Sequence, residues 1–175
     1  MIALRQATLD DIAMLWELRT RAIEHSCPGH YTPQVLAVWL AAPAPASLGR
    51  HIEHGGGLVA VDDGGIVAYA VLDPLSGEVE AAFVDPLQQS RGIGRVLLDA
   101  LEANARAGGI KRLFLSASLN AVPFYARAGF VALREELYPH RSGIGIASVF
   151  MEKALLSVSA PSPPRDTSAP ARCRR

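Results

Sequence analysis

Three short apolar runs rich in β-branched residues follow one another in the middle of the chain and constrain its fold most. Residues 57–61 (GLVAV) and 66–72 (IVAYAVL) are separated by Asp-Asp-Gly-Gly, and residues 78–84 (EVEAAFV) end before Asp85-Pro86. Runs of this length and composition are typical of strands, and glycine supplies the positive φ that a tight hairpin turn needs. The three runs therefore predict an antiparallel meander.

An amphipathic helix is predicted directly after this meander, over residues 92–107. Its polar residues recur at helical spacing and its apolar residues lie on the other side. The polar set is Arg95, Asp99, Glu102 and Arg106, and the apolar set is Ile93, Leu97, Ala100 and Leu101. The run KRLFLS then predicts a strand, and a strand, helix, strand succession of this length implies a right-handed parallel crossover. The sheet is therefore expected to be mixed.

The ends of the chain add further elements to this sheet. A strand (2–7) precedes a helix capped by Thr8 or Asp10, a shorter helix runs from Thr32-Pro33 through Trp39, and APAPASLG is expected to be a connector. A short helix (121–128) and two strands (131–137 and 144–153) follow. The predicted fold class is α/β (α+β), with a mixed, mostly antiparallel central sheet of about six to seven strands flanked by about four helices.

Composition limits the number of domains and the kind of partner. The chain has 175 residues, half of them hydrophobic, which favours one core. We expect one domain over residues 1–156 and a disordered Pro/Ser/Arg-rich tail over 157–175. Acidic and basic residues balance at 17 each, so net charge favours neither nucleic acid nor an anionic membrane as partner.

The sequence also indicates a cellular compartment. The first residues lack the pattern of a secretory leader, and no run approaches about 18 uninterrupted apolar residues. Cys27 and Cys173 lie far apart and do not suggest a disulfide framework. We therefore expect a cytoplasmic protein without membrane contact. No spacing of His, Cys or carboxylate residues is typical of a metal site, so no metal is expected. The sequence does not determine the number of subunits, and a homodimer is the commonest arrangement.

The start of the helix at 92–107 combines two glycines with two arginines. A helix start leaves backbone N–H groups unpaired and carries partial positive charge, so it binds anions if they can approach closely. Gly92 and Gly94 permit that approach, and Arg91 and Arg95 add positive charge. The stretch predicts a site for two adjacent phosphates.

Two well-known phosphate motifs do not fit this stretch. A dinucleotide-binding turn needs a third small residue where the chain has Leu97, and the next strand lacks an acidic residue for the ribose. A nucleoside triphosphate loop needs Gly-Lys-Ser/Thr, whereas Gly94 is followed by Arg95 and Val96. The ligand must therefore be of another kind.

Two motifs in this order resemble those of the GNAT superfamily of acyl-CoA-dependent N-acyltransferases. Residues 89–94 match its Q/R-x-x-G-x-G/A motif for the coenzyme A pyrophosphate, and residues 120–130 (NAVPFYARAGF) resemble its later motif. The resemblance covers about residues 2–154 and implies the GNAT fold and acetyl-CoA as cosubstrate. The implied coenzyme-binding residues are Phe83 and Val84 through main chain, Gln89, Ser90, Arg91, Gly92, Ile93, Gly94, Arg95, Asn120 and Tyr125.

The resemblance also implies catalytic residues. Tyr125 stands where the family commonly has a tyrosine facing the coenzyme sulfur, so we expect it to protonate the leaving thiolate; the alternative is a buried aromatic. Strand alternation places Glu80 on one face with Glu78, Ala82 and Val84, and Glu80 is the expected general base. Its alternative is a structural pairing with an arginine, and Glu78 is expected to be solvated. Asn120 either bonds the pantetheine arm or caps the short helix.

In this family the acceptor pocket is built from the first two helices and the loop between the last two strands. That implies contact with His25, His30, Tyr31, Tyr138 or His140, each of which can equally be a surface or capping residue. The expected function is transfer of an acetyl group from acetyl-CoA to a primary amine of a small-molecule or peptide acceptor, directly within a ternary complex. The alternative is a non-catalytic acyl-CoA-binding sensor or regulatory protein.

Overall fold

Residues 1–155 form seven strands and five α-helices. A computed structural model describes residues 1–155, and the predicted tail at 157–175 lies outside them. The strands are β1 (Ala3–Gln6), β2 (Gly57–Asp62), β3 (Gly65–Leu72), β4 (Val79–Val84), β5 (Arg112–Ser118), β6 (Val131–Pro139) and β7 (Gly145–Ala154). The helices are α1 (Ile12–Ser26), α2 (Pro33–Ala41), α3 (Ala46–Glu53), α4 (Ile93–Ala107) and α5 (Val122–Arg127). The predicted mixed α/β class and the strand number are confirmed.

The predicted meander forms an antiparallel sheet with β1 at its edge, in the order β1-β2-β3-β4. The hairpin between β2 and β3 turns at Gly65, whose φ of +118° suits glycine. In β4 the register shifts, because Ala81 pairs with Val71 while Val79 pairs with Leu72. This bulge places Glu80 outside simple alternation.

The last three strands form a second antiparallel sheet in the order β5-β7-β6. The two sheets meet at one parallel bridge between Glu78 and Phe114, where the Phe114 N–H donates to the Gly77 carbonyl at 3.1 Å. This parallel contact confirms the mixed character. Past the bridge, within residues 1–155, β4 pairs only with β3 and β5 only with β7, so the two strands separate.

Helix α4 packs its apolar face into the larger core, against β2, β3 and β4. Buried Leu97, Leu98 and Leu101 form the centre of that contact. Glu102, which the spacing places among the polar residues, is also buried, because the ammonium group of Lys153 lies 2.5 Å from its carboxylate. A carboxylate can be buried there because it is paired.

The predicted connector APAPASLG contains the start of a helix, so that prediction is wrong for its second half. Helix α3 begins after Pro45 and buries Leu48 and Ile52 in a second core on the opposite face of the first sheet. Proline suits the position before the first turn, and a Cβ added at Gly49 would lie 3.7 Å from side-chain atoms of Leu9 and Ile12. The fold therefore has one α-helix more than the expected four or so.

Candidate active site

The turn before α4 presents backbone amides to an open space. Gly92 adopts φ +79°, and its carbonyl accepts from the N–H groups of Arg95 and Val96 at 3.1 Å. The N–H groups of Ile93 and Gly94 precede these first intrahelical bonds and lack helical partners. A Cβ added at Gly92 would meet no atom within 4 Å, so the space beside the Gly92 Cα is open.

Gly94 meets a different requirement from Gly92. A Cβ at Gly94 would lie 3.2 Å from Val84 Cγ2 and 3.3 Å from Phe124 Cε2, so the first turn of α4 packs closely against β4 and α5. This contact holds the turn against the end of β4.

The side chains around the turn are more anchored than the sequence suggested. Arg95 donates to Asp99 Oδ1 at 2.8 Å and to the Arg127 carbonyl at 3.0 Å, and Arg91 donates to Gln88. Gln89 donates to Ser26 Oγ at 3.2 Å, which joins the turn to α1. Part of the positive charge at the rim is therefore already paired.

A cavity of about 560 Å³ opens over this turn, and we call it the glycine cavity. Every coenzyme-binding residue implied by the sequence lines it, with the exception of Arg91. Its walls come from α1, β4, the glycine turn, the end of β5 and α5, which is the gap where the sheets part. A space of this volume is typical of a small-molecule or cofactor site.

A second cavity, of about 340 Å³, lies on the other side of β4, and we call it the polar cavity. Its charged and polar lining includes Arg19, Glu78, Glu80, Tyr138, His140, Arg141 and Ser148. The two cavities share Trp39, Ala82, Phe83, Ser118, Ala121 and Tyr125 in their walls. They therefore adjoin at the gap between β4 and β5.

Tyr125 stands at this junction. Its ring makes edge contacts with Phe124 and Phe130 at centroid distances of 5.1 and 5.6 Å, which fix its orientation. Burial raises the pKa of its hydroxyl, which hydrogen-bonds to none of the described residues. Tyr125 is both the buried aromatic of the alternative interpretation and a free phenol donor facing the cavities.

Glu80 pairs with a histidine. The alternative role predicted for it, a structural pairing with an arginine, is therefore wrong about the partner residue. His51 Nε2 lies 2.9 Å from Glu80 Oε1, and His51 Nδ1 lies 3.7 Å from Asp73. His51 belongs to α3, the helix that the sequence did not predict. The bulge in β4 turns Glu80 toward α3, whereas alternation grouped it with Ala82 and Val84.

Glu78 is half-buried, and the expectation that it is solvated is wrong. Burial raises the pKa of its carboxyl, and the negative charges of Glu80 and Asp73 raise it further. Glu78 lines the polar cavity together with Glu80. The acidic end of this cavity thus holds two carboxylates from one strand.

Asn120 does not cap the short helix, so that alternative is wrong. Helix α5 begins at Val122 after Ala121, and no side chain among the described residues caps it. Instead, the Asn120 side-chain oxygen accepts from Cys27 Sγ at 3.3 Å, inside the glycine cavity. Burial raises the pKa of the Cys27 thiol to about 11, so it is not a ready nucleophile at neutral pH.

The residues suggested for the acceptor pocket lie in different places. Tyr138 and His140 line the polar cavity, and burial lowers the pKa of His140. His30 lines the glycine cavity, whereas exposed His25 lies outside both. Tyr31 is structural: its hydroxyl donates to the Ala147 carbonyl at 2.7 Å and accepts from the Leu119 N–H at 2.8 Å.

Sequence reasoning missed Arg19, the most buried charge of the site. Only 3% of its surface is exposed, and Nη2 donates to the Trp39 carbonyl at 2.9 Å. Its guanidinium lies 4.4 Å from the ring centroid of Trp16 and 5.9 Å from that of Trp39. The only sequence signal was a charged residue between Leu18 and Ile23 on the apolar stripe of α1.

The described residues form neither a metal-binding cluster nor a membrane-spanning helix. In residues 1–155, no group of three or more His, Cys, Asp or Glu side chains is arranged to hold a metal ion. No helix in the same part of the chain has the length and apolar character needed to cross a bilayer.

Comparison with curated proteins finds acetyltransferases. The chain is 37% identical over 60 residues to the uncharacterized N-acetyltransferase YjcF of Bacillus subtilis, covering 34% of this chain and 43% of that protein. It is 38% identical over 82 residues to the IAA acetyltransferase of Azospirillum brasilense, covering 45% and 52%. The alignments thus span about half the length of these relatives.

Solved structures share the whole fold. A GCN5-related N-acetyltransferase from Rhodopseudomonas palustris superposes with a TM-score of 0.75 at 28% identity, covering 87% of this chain and 95% of that one. PaiA N-acetyltransferase from Thermoplasma acidophilum, solved with coenzyme A, superposes with a TM-score of 0.68 at 19% identity, covering 89% of this chain and 99% of that one. YncA from Salmonella typhimurium, a putative acetyltransferase solved with acetyl-CoA, superposes with a TM-score of 0.63 at 22% identity, covering 93% of this chain and 98% of that one.

A family model links these similarities to the site itself. The model described as an acetyltransferase (GNAT) domain matches residues 27–155, which is more than half of the chain. The matched segment contains the glycine turn, all of β4 and Tyr125. The chain therefore belongs to the GNAT acetyltransferase family.

Proposed function

We propose that this protein is an N-acetyltransferase that moves an acetyl group from acetyl-CoA to a primary amine within a ternary complex. The observation that carries the proposal is the junction of the glycine cavity with the polar cavity beside Tyr125. One cavity has the features of a coenzyme site and the other those of an acceptor site. Direct transfer requires such a junction, because amine and thioester must come into contact.

The coenzyme occupies the glycine cavity in this proposal. The N–H groups of Gly92, Ile93 and Gly94 bind the pyrophosphate at the start of α4, where partial positive charge favours anions. The open space in front of Gly92 fits such a group, since a Cβ there would meet nothing within 4 Å. PaiA and YncA, which share the fold, were solved with coenzyme A and acetyl-CoA, respectively, and this supports the assignment.

The pantetheine arm and thioester lie along the gap between β4 and β5. The backbone of Phe83 and Val84 faces this gap, since β4 pairs there with β3 alone among the described strands. A main-chain N–H of this edge polarises the thioester carbonyl. Asn120 contacts the pantetheine arm from the end of β5.

Three events complete the transfer. Glu80, oriented by His51, accepts a proton from the acceptor ammonium, directly or through water. The amine nitrogen then bonds to the thioester carbon, and the carbon–sulfur bond breaks. The nitrogen loses its second proton as the amide forms, and this proton restores the Tyr125 phenol, directly or through water, after Tyr125 has protonated the thiolate. Tyr125 donates its hydroxyl proton to the departing thiolate; burial keeps this phenol protonated at neutral pH. The products are an N-acetylated acceptor and coenzyme A.

A screen of primary amines with acetyl-CoA tests this function. Release of coenzyme A thiol is followed with amino acids, polyamines, aryl amines and peptides, and acetylated products are identified by mass spectrometry. Acceptor-dependent thiol release supports the proposal. Acetyl-CoA binding without thiol release from any class of amine would favour the non-catalytic sensor, and absence of acetyl-CoA binding would contradict both functions.

A further inference from the structure

The polar cavity contains two buried groups whose hydrogen-bonding capacity is unused. Among residues 1–155, the buried side-chain polar atoms without any partner are Arg19 Nη1 and Ser148 Oγ. Both residues line the polar cavity, and 3% of the surface of each is exposed. Buried donors without partners are costly, so their occurrence together in one cavity wall points to a ligand that supplies acceptors.

Arg19 is held in a fixed place for such a ligand. One guanidinium nitrogen is bonded to the Trp39 carbonyl, and the group lies against the Trp16 ring. Burial lowers the pKa of Arg19 to about 10, and the positive charge of Arg141 contributes, so the guanidinium is still charged at neutral pH. No carboxylate within the described residues forms an ion pair with it.

The lining of the polar cavity also contains groups of the opposite charge, and Arg19 is not among the charged groups that act on Glu78. Glu78 and Glu80 lie there, and Glu80 is paired with His51. Arg19, Arg141 and Ser148 thus provide donors in one part of the wall, and the carboxylates of β4 attract an ammonium group in another. A cavity of about 340 Å³ with this division matches a small molecule that carries both charges.

We propose that the acceptor is an amino acid or a closely related amino carboxylate, whose carboxylate binds Arg19 and Ser148 while its amine faces Glu80 and Tyr125. This inference rests on the proposed function, since it identifies the acceptor class of the same site. A planar guanidinium suits a carboxylate with two oxygen acceptors. A doubly charged phosphate is less favoured, because Glu78 and Glu80 share the cavity.

The apolar part of the cavity indicates the body of the acceptor. Trp16, Trp39, Tyr69, Phe83 and Leu115 contribute to its lining. An apolar or aromatic side chain can pack against these rings. Test acceptors are therefore L-phenylalanine and L-leucine, each compared with its carboxamide and with the amine that lacks the carboxyl group.

The first experiment measures kcat/KM for these two series with the wild-type protein. We expect the carboxylate member to exceed its carboxamide and its amine by about 10- to 100-fold, the value of a buried hydrogen bond to a charged group. The carboxamide also represents a peptide N-terminus, so this ratio separates free amino acids from peptides. Equal values across a series, or preference for an aminoalkyl phosphate such as phosphoethanolamine, would overturn the inference.

The second experiment uses Arg19→Gln and Ser148→Ala, with Arg50→Gln as the control. Arg50 is exposed on α3 and does not line the polar cavity. Both cavity variants should raise KM for the carboxylate acceptors by about 10-fold or more and leave KM for the carboxyl-free amines within about 2-fold. Ser148→Ala is a conservative substitution. For each variant, the affinity for acetyl-CoA and the melting temperature are measured to establish that the protein is folded. An equal loss for charged and uncharged acceptors would contradict the inference.

Failure of the proposed function has a different signature. If no amine is acetylated at all, the enzyme assignment fails, whereas the carboxylate site is still tested by ligand-induced thermal stabilisation of the coenzyme A-saturated protein. Stabilisation by L-phenylalanine that exceeds that by phenethylamine and disappears in Arg19→Gln supports the site. No stabilisation by any amino carboxylate overturns it.

Discussion

Tyr125 combines burial with a hydroxyl that none of the described residues engages. Its ring is packed between Phe124 and Phe130, and only the phenol oxygen remains to interact with a ligand. The hydroxyl oxygen is not among the enclosed polar atoms that lack a partner, so it is open to the two cavities that Tyr125 lines. The arrangement is therefore one that a thiolate leaving group can use.

Substitution of Tyr125 by Phe should slow turnover and leave coenzyme binding intact. The ring contacts are retained, so we expect kcat to fall by about 100-fold or more while the Kd for acetyl-CoA changes less than about 3-fold. Steady-state kinetics and calorimetry provide the two values. A full rate across pH in this variant would remove Tyr125 from the mechanism.

Glu80 and Glu78 can be distinguished by the pH dependence of kcat/KM. A general base acts when ionised, so the rate falls as pH decreases through its pKa. Glu80→Gln should lower the rate by about 100-fold and abolish this acidic limb. Glu78→Gln is the matched comparison, because it removes a neighbouring carboxylate but not the proposed base. Loss of the acidic limb in Glu78→Gln alone would assign the base to Glu78.

The candidate site residues differ in how far the sequence could predict them. Gly92, Gly94 and Tyr125 belong to motifs that are contiguous in sequence, and so they could be named in advance. Arg19 and the pairing of Glu80 with His51 depend on contacts between distant segments, which no local pattern records. The bulge at Glu80 is a property of strand register and is equally invisible in the sequence.

At the scale of elements, one ion pair joins α4 to the second sheet. Lys153 of β7 contacts Glu102 of α4 and donates to the Ala128 carbonyl at 2.7 Å, just after α5. Arg106 lies 3.5 Å from the other oxygen of the same carboxylate. This contact holds together elements that carry the glycine turn and Tyr125.

Substitution of Lys153 by Met should destabilise the fold. It leaves the buried Glu102 with Arg106 as its cationic partner, and we expect a loss of about 2–4 kcal/mol in the free energy of unfolding. Urea unfolding measures it, and Lys111→Met, at an exposed position, should change it by less than about 0.5 kcal/mol. Equal stability of the two variants would show that the pair contributes little.

The start of α1 has a second ionic contact, with a pH signature. Asp11 accepts from Arg5 at 2.7 and 2.9 Å and from the Thr8 N–H at 2.8 Å. The hydrogen bond from Arg5 is the main reason that the pKa of Asp11 falls from 3.8 to about 2. Because the pKa of Asp11 is lower in the folded state than in the unfolded chain, ionised Asp11 stabilises the fold at any pH above the unfolded-state pKa. This contribution is lost as pH falls from about 4 to about 2.

Asp11→Asn should therefore cost stability at neutral pH and progressively less in acid. We expect about 1–2 kcal/mol at pH 7, because Arg5 is partly exposed and solvent screens the pair. Urea unfolding of wild type and variant between about pH 7 and pH 2 measures the difference. Asp10→Asn, at an exposed neighbouring position, is the control. A difference that does not change with pH would contradict this account.

Helix α3 shows where element prediction from sequence stops. Pro43 and Pro45 before the helix and Gly49 within it are typical of a connector, and the helix is only 8 residues long. It forms because Leu48 and Ile52 pack against the first sheet, which is a tertiary effect. By contrast, α4 and the meander carry strong periodic patterns over their whole length, and both are found as predicted.

At the scale of the whole molecule, the proposed function depends on two sheets that touch once and then diverge. The order of the elements and the parallel crossover could be predicted, since they follow from periodicity and connection length. The separation of β4 from β5 could not be predicted from the sequence, because it depends on the residues that line the gap. These are Tyr125 and Ala121 on one side and α1 on the other. In the proposed function, this gap lets a coenzyme in the glycine cavity reach an acceptor in the polar cavity.

The most direct test of this account is calorimetric titration of acetyl-CoA into the wild-type protein, Gly92→Glu and Gly109→Glu. Gly92 and Gly109 have φ values of +79° and +80°, and a Cβ at either would meet nothing within 4 Å, so the two substitutions introduce similar strain at the two ends of α4. The account predicts wild-type affinity for Gly109→Glu and at least about a 100-fold loss for Gly92→Glu, whose carboxylate occupies the phosphate site. Wild-type affinity in Gly92→Glu would contradict it.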